Sequence, residues 1–583
     1  MSKLEKLRDT KSLSDLANLL GYKPKAVSYI LYKIPSEKKY SAFTIPKKTG
    51  GERRIKAPID PLKDLQRRLA DLLNECFEEI CATSKNQKCL SYGFRKGKDG
   101  SIIKNAINHR NKRHVFNVDL QDFFPSINFG RVRGFFIKNR HFELDPGVAT
   151  VIAQIACHEN ELPQGSPCSP VISNLIGHLL DIRMVNLAKK AKCTYSRYAD
   201  DLTFSTNKNE FPEIIAKPEK PECNIWLAGE RLEKEINKVG FSINKNKTSM
   251  QYKARRQMVT GLVVNKKINV KREYYKNARS MCYSLFQSDQ YYIEKHSTIP
   301  SAGTTILDDG AADKKGEPTK EYEKIIGNMA QLEGVLNFIY HVKDEHDKRD
   351  RYEKVKHRSA MVELYRKFLF YKYFFSVDRP LIVCEGKTDS VYLKCALMQL
   401  CDHYSDLIQK KKDTYEFNIS FFKVSKKIMD VLDISEGTGG QLALMNIYEK
   451  YISMFKGCGK KHPVILLIDN DNGSKEIKNK LNVDDLSGPF CYYRQNLYVV
   501  AIPLGPDGKE RMIEDLFEAK VLKAKVDGKV FNRKTKQLTA TEYGKTVFAE
   551  KVVRANQKSI NFDGFRGVLD SFRAAIEDYK KRM

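Results

Sequence analysis

Apolar and polar positions along the chain follow three patterns in succession. In the first 40 residues or so, and again in LKDLQRRLADLLNECF, apolar residues recur at helical spacing. Between Val115 and about Val264, short apolar runs typical of strands alternate with helical stretches. From Asn265 to about Phe375 the pattern is mainly helical, except for a stretch rich in Gly, Ala and Thr at 297–321, which is typical of a mobile loop.

The pattern changes again after Pro380. LIVCEG and VILLIDND are continuous apolar runs that end in acidic residues, which is typical of buried parallel strands. We therefore place a domain boundary near residue 377. The sequence predicts an α+β multidomain protein with four parts: a helical region at 1–40, a mixed part at 41–264, a helical part at 265–376 and an α/β part with a mostly parallel sheet at 377–583.

The charge balance narrows the class of partner. The chain has 102 Lys and Arg against 72 Asp and Glu, a net charge of +30, which favours a polyanionic partner and most simply nucleic acid. There is no run of 18 apolar residues to span a membrane, and the charged start has no signal-peptide core, so we expect a location in the cytoplasm. Thirteen cysteines without a CxxC pair argue against zinc.

RYADDLTFS places two aspartates, Asp200 and Asp201, in a segment that otherwise favours a strand. Two carboxylates about 4 Å apart repel by roughly 1 kcal/mol in water and by more where water is scarce, so a divalent cation is the usual compensation. Upstream, the apolar strand of FNVDLQDFFPSI ends at Asp119. The three carboxylates could hold two Mg²⁺ ions; the alternative is three unrelated surface acids.

Four segments resemble reverse transcriptases. RYADDLTFS is similar to their YxDD signature and FNVDLQDFFPSI to their first palm aspartate motif. LPQGSPCSPVISNLIGHLLD resembles their palm helix, and GFSINKNKTSM resembles the lysine-bearing motif that follows the catalytic turn. The resemblance implies a right-hand polymerase, with fingers and palm at 41–264 and a thumb at 265–376.

Further segments narrow the resemblance to retron reverse transcriptases, over roughly residues 10–375. NAINH resembles their NAxxH element, VTG resembles a triplet that marks the same group, and SYGFRKGKDGS and GGERRIKAP resemble their fingers motifs. The resemblance implies a structured non-coding RNA as partner, dNTPs as substrates and a branched RNA–DNA hybrid (msDNA) as product. The implied candidates for RNA recognition are Asn105, His109, Val259, Thr260 and Gly261.

The resemblance also implies roles for palm residues. Asp119, Asp200 and Asp201 would be catalytic and would hold Mg²⁺. The candidates for nucleotide binding are Arg53, Arg95, Phe124, Gln164, Gly165 and Lys247. Phe124 would exclude a ribose 2′-hydroxyl, although a core Phe beside Phe123 would look the same. Lys247 could protonate pyrophosphate, although a solvated lysine is an equal alternative.

The two apolar runs after Pro380 form a second acidic constellation. Glu385 follows one run, and Asp469 and Asp471 follow the other, alternating about Asn470 so that both can face one side. Carboxylates at the carboxyl ends of parallel strands meet in a crevice that usually binds ligands. Such a set suits Mg²⁺; the alternative is a metal-free α/β domain.

This part resembles the TOPRIM domain of topoisomerases, primases and overcoming-lysogenization-defect-type nucleases. EGKTD is similar to the EGxTD form of the nucleases, which implies Asp389 as a further metal ligand. IEDLFE lies where those nucleases carry another acid, which implies Glu514, and Lys551 is a candidate phosphate contact. Since no tyrosine-nucleophile or zinc-binding module is apparent, a metal-dependent nuclease is the interpretation we prefer.

Together these segments predict a retron RNA-directed DNA polymerase fused to a Mg²⁺-dependent TOPRIM nuclease that acts in antiphage defence. One alternative is a group II intron-like reverse transcriptase with maturase activity. Another is a non-catalytic RNA-binding scaffold. The nuclease substrate, which could be DNA, tRNA or other RNA, is not readable from the sequence, and a homo-oligomer is left open.

Overall fold

The computed structural model describes residues 2–47, 51–83, 91–95, 100–220, 225–297, 321–345, 347–412, 414–423, 425–505, 508–533 and 538–583. It divides into two compact units, Met1–Arg272 with Val342–His346, and Glu273–His341 with Asp347–Met583. The boundary predicted near residue 377 lies inside the second unit. Most of the loop predicted at 297–321 lies outside the described residues.

The first unit is a mixed α/β structure. Its helices are α1 (Lys3–Arg8), α2 (Leu13–Leu19), α3 (Pro24–Ser28), α4 (Asp60–Thr83), α5 (Ile102–Ile107), α6 (Phe129–Lys138), α7 (Pro146–Ala156), α8 (Ser169–Ala191) and α9 (Glu230–Asn237). Its strands are β1 (Tyr40–Pro46), β2 (Glu52–Pro58), β3 (His114–Asp119), β4 (Thr194–Tyr198), β5 (Asp201–Thr206), β6 (Ala216–Pro218), β7 (Trp226–Ala228), β8 (Ser249–Tyr252), β9 (Met258–Val259) and β10 (Leu262–Val263).

A four-stranded antiparallel sheet with the order β4-β5-β3-β8 forms the centre of this unit. α8 ends at Lys192, which adopts the left-handed conformation, and β4 begins two residues later, so the helix folds back onto the sheet. The core packs on this sheet and includes Phe116, Phe204 and Ile172, all fully buried. Burying each such side chain stabilises the fold by roughly 1.5–3 kcal/mol.

The second unit has its own core. Its helices are α10 (Arg272–Ser288), α11 (Met329–Asp344), α12 (Arg351–Lys356), α13 (Ala360–Phe370), α14 (Asp389–Gln399), α15 (Lys426–Leu432), α16 (Thr438–Tyr451), α17 (Lys475–Leu481), α18 (Ala519–Leu522), α19 (Lys545–Val547) and α20 (Arg566–Arg582). Its strands are β11 (Tyr292–Ser297), β12 (Glu321–Ile326), β13 (Leu381–Val383), β14 (Ile408–Lys411), β15 (Thr414–Phe417), β16 (Ser420–Phe421), β17 (Val464–Ile468), β18 (Cys491–Arg494), β19 (Leu497–Ala501), β20 (Val530–Phe531) and β21 (Glu542–Tyr543). Among the described residues of the whole chain, no helix has the length and apolarity needed to cross a membrane.

The main sheet of the second unit has the order β16-β13-β17-β19-β18. The first four strands are parallel and β18 is antiparallel, so the prediction of a mostly parallel sheet is confirmed. Every residue of β17 is buried, because the strands of a parallel sheet are covered on both faces. The assignment of this part to the TOPRIM family remains a prediction.

The part predicted as helical, 265–376, also contains an antiparallel hairpin. β11 pairs with β12, with Ile293 opposite Ile325. The expectation that helical periodicity resumes at residue 322 is wrong, since α11 begins only at Met329. Polar and apolar residues in EYEKII suit a strand as well as a helical turn, and pairing with a distant partner strand decides between them.

Candidate active sites

The three palm aspartates lie together, as the sequence predicts. Asp119 ends β3 and stands directly opposite Asp201, the first residue of β5. Asp200 lies in the turn between β4 and β5, where Ala199 has a φ of 55°. The amide of Leu120 donates to the Asp200 carbonyl at 3.0 Å, which ties this turn to the end of β3. Their roles in metal binding stay predictions.

The surroundings of these carboxylates favour a cation. Burial, together with the neighbouring charges of Asp200 and Asp119, raises the pKa of Asp201 to about 7. Burial also raises the pKa of Asp200; Asp119 adds to this, whereas Lys247 and Arg53 oppose it. Carboxylates that repel one another in this way are suitable donors for Mg²⁺.

Lys247 contacts Asp119 in the structure. Its Nζ lies 3.1 Å from both carboxylate oxygens, and it belongs to a 3-10 turn at Lys245–Lys247. Asn244 supports the same acid, because its backbone N donates to the Asp119 carbonyl at 2.8 Å and its Nδ2 donates to Oδ1 at 3.3 Å. The lysine predicted to protonate pyrophosphate is therefore adjacent to the predicted catalytic acids.

Sequence reasoning missed a buried ion pair behind the catalytic turn. The Arg197 guanidinium donates from Nε and from a terminal nitrogen to the two oxygens of Asp181, each at 2.8 Å. Its other terminal nitrogen donates to the carbonyl of Ala199 at 3.0 Å. The hydroxyl of Tyr195 also donates to Asp181. Asp181 lies in a helix and Arg197 lies in a strand sixteen residues later. No local sequence pattern therefore indicates that the two residues form a pair.

Two of the RNA-recognition candidates are buried in the structure, and their part in RNA recognition stays a prediction. Asn105 and His109 are fully buried, with 0% of each residue exposed, so neither can contact RNA directly in this conformation. The His109 ring lies 2.7 Å from the hydroxyls of both Ser196 and Ser205, and Ser196 donates to Asn105 at 2.6 Å. This element therefore connects α5 and the segment after it to β4 and β5, the strands that flank the catalytic turn.

The VTG triplet forms the turn of the β9–β10 hairpin. Val259 is buried and pairs with Leu262, and its part in RNA recognition likewise stays a prediction. Thr260 and Gly261 occupy the turn with φ angles of 47° and 82°, which matches a type I′ turn. Gly261 is exposed and Thr260 is half-buried, so both remain candidates for RNA recognition.

The VTG turn packs against the helix that carries the NAINH element. Thr260 Oγ1 donates to the carbonyl of Ile102 in α5 at 3.2 Å. The two segments that mark the resemblance to retron enzymes therefore form one neighbourhood, although about 150 residues of sequence separate them.

Among the nucleotide-binding candidates, Arg53 lies near the palm acids, and Phe124 lies near the segment that carries Arg95. Arg53 is exposed on β2 and acts electrostatically on Asp200, which is consistent with a role beside a triphosphate. The half-buried Phe124 ring lies 5.9 Å from that of Phe94, the residue before the candidate Arg95. These positions agree with the predicted roles without testing them.

Gly165 permits the close approach of another backbone segment, and in the structure that segment is strand β2 of the same chain. Its φ is +125°, and a Cβ there would lie 2.6 Å from the carbonyl oxygen of Lys56. The amide of Lys56 donates to the Gln164 carbonyl at 2.8 Å. The Lys56 ammonium pairs with Glu159 and Glu161 at 2.5 and 2.6 Å. This glycine lets β2 pack against the turn at Gln164.

In the second unit, the acids predicted at adjacent strand ends also meet. Glu385 follows β13 and Asp469 follows β17, its parallel neighbour. Glu385 Oε2 lies 3.4 Å from the amide of Asp469, and Oε1 accepts from the amide and hydroxyl of Thr438 at 3.1 and 3.0 Å. Asp471 Oδ1 accepts from the Gly473 amide at 2.9 Å, within the loop that follows β17.

Asp389 joins this group through a local contact with the segment of Glu385, and Glu514 joins it through long-range contacts. The amide of Gly386 donates to Asp389 at 2.7 Å. Asn470 and Arg511 pair through both backbone amides, and the next segment brings the amide of Ile513 within 2.9 Å of Asp469 Oδ1. This backbone pairing brings Glu514, the residue after Ile513, close to Asp469. Glu514 is fully buried.

These carboxylates perturb one another. Burial raises the pKa of Asp469 to about 8, and the charges of Glu385, Asp389 and Glu514 add to the shift. Burial likewise raises the pKa of Asp389 to about 7, with further contributions from Glu514 and Glu385. The name "TOPRIM-like cluster" is used below for Glu385, Asp389, Asp469 and Glu514.

One lysine of this cluster was missed by sequence reasoning. Lys545 Nζ lies 2.9 Å from Glu514 Oε1 and supplies a positive charge beside the buried acid. Lys551, the candidate from the sequence, instead pairs with the exposed Asp527 at 3.1 Å. Nothing in the local sequence distinguishes the two lysines, since the chain has 102 basic residues.

Across the described residues, no group of three or more His, Cys, Asp or Glu side chains is already arranged as a metal-ligand set. In the palm, Lys247 holds the oxygens of Asp119. The donor chemistry at both sites nevertheless fits Mg²⁺, since buried carboxylates of like charge converge at each. The assignment of individual metal ligands stays a prediction.

Comparison with known proteins supports one part of the chain. Residues 45–273 match the family model "Reverse transcriptase (RNA-dependent DNA polymerase)". Retron Mx162 reverse transcriptase of Myxococcus xanthus is 33% identical over 279 residues, which are 44% of this chain and 54% of that one. Retron Mx65 reverse transcriptase of the same organism is 31% identical over 48% of this chain and 64% of its own. Retron Ec86 reverse transcriptase of Escherichia coli is 29% identical over 48% and 81%.

The chain thus spans little more than half the length of the first of these relatives. Among solved structures, a telomerase from Candida tropicalis covers 41% of this chain and 56% of its own at 12% identity, with a TM-score of 0.28 that is too low to carry an argument. The matches to sequences are specific. Residues 45–273 therefore match the reverse transcriptase family model and are similar to the corresponding part of the retron reverse transcriptases.

Proposed function

We propose that this chain is a retron RNA-directed DNA polymerase. It copies part of its own structured non-coding RNA into DNA and yields a branched RNA–DNA hybrid. The observation that carries the proposal is the position of Asp119 opposite Asp201, with Asp200 in the adjoining turn, inside a domain that matches the reverse transcriptase family.

The palm residues have distinct parts in this reaction. Asp119, Asp200 and Asp201 would hold Mg²⁺, which when bound supplies Lewis-acid activation of a primer hydroxyl and stabilises the charge on the leaving pyrophosphate. Phe124 lies in the segment after Asp119 and would exclude a ribose 2′-hydroxyl. The Lys247 ammonium, beside Asp119, is placed to hold that carboxylate and to give a proton to the leaving group.

A structured RNA fits the surface chemistry. The net charge of +30 favours a polyanion, and Thr260 and Gly261 present a rigid turn at the surface of the first unit. Asn105 and His109 would act on RNA only through the position of this turn and of the palm strands. The cognate RNA would be the nucleic acid that copurifies with the protein.

A primer-extension assay on an RNA template with dNTPs and Mg²⁺ tests the polymerase. Wild-type protein should extend the primer, and the double variant Asp200→Asn, Asp201→Asn should not. Glu210→Gln, an exposed acid of the same unit, is the matched control and should extend normally. Extension by the double variant, or none by wild type, would overturn the proposal and favour a non-catalytic scaffold. Splicing of an intron by the purified chain would favour the maturase alternative.

We further propose that the second unit is a metal-dependent nuclease of the TOPRIM type. Its support is the TOPRIM-like cluster, which gathers four carboxylates from three segments beside the carboxyl ends of the parallel strands β13 and β17. Mg²⁺ held there would polarise a phosphodiester and an attacking water. Thr438 orients Glu385, and Lys545 balances the charge of Glu514.

Cleavage of labelled DNA, tRNA and other RNA with Mg²⁺ tests this second activity. Asp469→Asn should abolish cleavage while primer extension persists, and Asp484→Asn, an exposed loop acid, should cleave as wild type does. Cleavage that survives Asp469→Asn would contradict the assignment.

The fusion of both activities suggests a role in antiphage defence, with the hybrid restraining the nuclease until infection disturbs it. The test is expression without the non-coding RNA. Restraint predicts that cells with intact Glu385 then grow poorly and that Glu385→Ala restores growth. Equal growth of the two strains would remove the support for restraint.

A further inference from the structure

A cavity of about 410 Å³ opens beside Glu385 in the second unit. Its apolar wall includes Phe422, Met429, Ile434 and Leu444. Volumes of 300–1,000 Å³ with mostly apolar walls and a few placed polar groups are typical of sites for small ligands. None of the roles assigned above to the TOPRIM-like cluster accounts for an apolar cavity at this place.

One side of the cavity is cationic. Lys394, Lys423 and Arg554 all line it, and burial lowers the pKa of Lys394, with the charges of Lys423 and Arg554 adding to the effect. Within the described part of the chain, neither Lys394 nor Lys423 forms an ion pair. Arg554 pairs with Glu550 at 2.6 Å. Two cations without a counter-charge beside a cavity are suited to an anionic group.

The opposite side has two features that also suit a polar, anionic ligand. Gly437 and Gly440 line the cavity at the start of α16, a 14-residue helix whose N-terminus favours negative charge. Gln441, only 3% exposed, lines it as well. Its Nε2 donates to the carbonyls of Leu467 and Val383 at 2.7 and 3.4 Å, but its Oε1 has no hydrogen-bond partner among the residues that the structure describes. A buried acceptor in that state calls for a donor from a ligand.

The charges facing the cavity from other residues do not cancel this preference. Of the acids that line the cavity, Glu436 is paired with Lys387, which leaves Glu385, whose Oε1 accepts from Thr438, as one acid against the two lysines. The cavity therefore combines an apolar wall, two unpaired ammonium groups, a helix N-terminus and one unpartnered acceptor. Inorganic phosphate would use only the cations, and a purely apolar ligand would use only the wall.

We propose that this cavity binds a nucleotide, with its phosphate on Lys394 and Lys423 and its base on the apolar wall. The nucleotide is either a free molecule or an unpaired nucleotide of a nucleic acid strand. In the second case the inference rests on the proposed nuclease activity. The cavity would then bind a nucleotide adjacent to the phosphodiester that lies beside Glu385.

Binding is measured on the full chain in EDTA, so that metal-dependent cleavage does not contribute. Equilibrium dialysis uses radiolabelled AMP, ATP and a short single-stranded oligonucleotide, and photo-crosslinking with 8-azido-AMP locates the site by peptide mapping. We expect crosslinks in the segment 422–444. Lys394→Ala and Lys423→Ala should each weaken binding about tenfold, the loss expected for one charge-assisted contact.

Two further variants separate this effect from general damage. Lys410→Ala removes an exposed lysine of β14 in the same unit and should bind as wild type does. Ser390→Phe, at a half-buried residue that lines the cavity, should block binding by filling it without a change of charge. The thermal melting curve of each variant establishes that the chain is folded.

Binding of AMP or ATP identifies a free nucleotide as the source, and binding of the oligonucleotide alone identifies a strand. If neither probe binds, or if both lysine variants and Ser390→Phe bind as tightly as wild type, the inference is overturned. A protein that binds in EDTA but cleaves nothing with Mg²⁺ would retain this inference and lose the nuclease proposal.

Discussion

Arg197 binds both carboxylate oxygens of Asp181 in the interior of the reverse transcriptase domain, with 0% and 2% of the two side chains exposed. The same guanidinium donates to the carbonyl of Ala199, the residue immediately before the aspartate pair. The left-handed turn that presents Asp200 and Asp201 is therefore held from behind by a buried charge pair.

Removal of one partner of this pair should destabilise the domain. Asp181→Asn leaves the Arg197 guanidinium buried without a counter-charge, which costs about 3–5 kcal/mol and should lower the Tm by roughly 10 °C. Differential scanning fluorimetry measures the shift.

The matched control for that variant removes both charges. Asp181→Leu with Arg197→Met leaves no buried ion and should recover much of the lost Tm. A double variant as unstable as Asp181→Asn would show that the cost lies in packing rather than in charge. Primer extension by the stable double variant should still fall, because Ala199 loses its donor.

His109 should make stability depend on pH. Burial lowers its pKa to about 3, and the charge of Lys112 adds to this, whereas a histidine in the unfolded chain has a pKa of about 6.5. Below that value the unfolded chain binds a proton that the folded His109 does not. Its contribution is therefore complete above about pH 6.5 and is lost as the pH falls toward 3.

The measurement compares stability at pH 6.5 and pH 5, where this one group accounts for a loss of about 2 kcal/mol. His109→Gln should lower stability at both pH values and reduce the difference between them by that amount. His403→Gln, at an exposed residue, should leave the difference as in wild type. An unchanged difference in His109→Gln would show that His109 is protonated in the fold.

Phe124 should set the preference for deoxynucleotides. Phe124→Ala opens space beside the sugar, and the ratio of kcat/KM for dNTP over rNTP should fall roughly 10- to 100-fold. Single-nucleotide extension with each substrate gives the ratio. Phe123→Leu is the control, since that ring is 3% exposed; it should lower the Tm and keep the ratio. A ratio unchanged by Phe124→Ala would make Phe124 a packing residue.

Mg²⁺ should stabilise the TOPRIM-like cluster. In the Asp200→Asn, Asp201→Asn background, which silences the palm, Mg²⁺ at 100 times its Kd should add about 2.7 kcal/mol of stability. Above about pH 8, where Asp469 is charged, Asp469→Asn removes one of four like charges, so its Tm in EDTA should rise while the increment from Mg²⁺ disappears. Asp484→Asn should keep the increment. A Mg²⁺ increment that survives Asp469→Asn would place the metal elsewhere.

Several parts of the sites could be predicted because their causes are local. Asp119, Glu385 and Asp469 each follow an apolar strand, and the position of an acid after a strand places it at the sheet edge where ligands bind. The same reasoning predicted the mostly parallel sheet, because continuous apolar runs mark strands that are covered on both faces. Asp200 and Asp201 are consecutive in the sequence, so their proximity does not depend on the tertiary structure.

Other parts needed the tertiary structure because their causes are distant in sequence. Asn105 and His109 look like exposed polar residues, yet they are buried on Ser196 and Ser205. Whether a polar side chain faces solvent or a protein partner depends on which strands pack over it. A sequence window of roughly 11–18 residues around Asn105 or His109 does not contain those strands.

By itself, the sequence determined which residues have the chemistry: the acids that end strands, the basic excess and the motifs of a reverse transcriptase. Only the tertiary structure decided which of them meet. Backbone pairing of Asn470 with Arg511 brings Glu514 to Asp469, and the packing of α14 and α16 beside β13 leaves the cavity next to Glu385. The physical reason is that periodicity and side-chain chemistry are local properties, whereas burial, charge pairing and cavities arise between segments that the chain brings together only on folding.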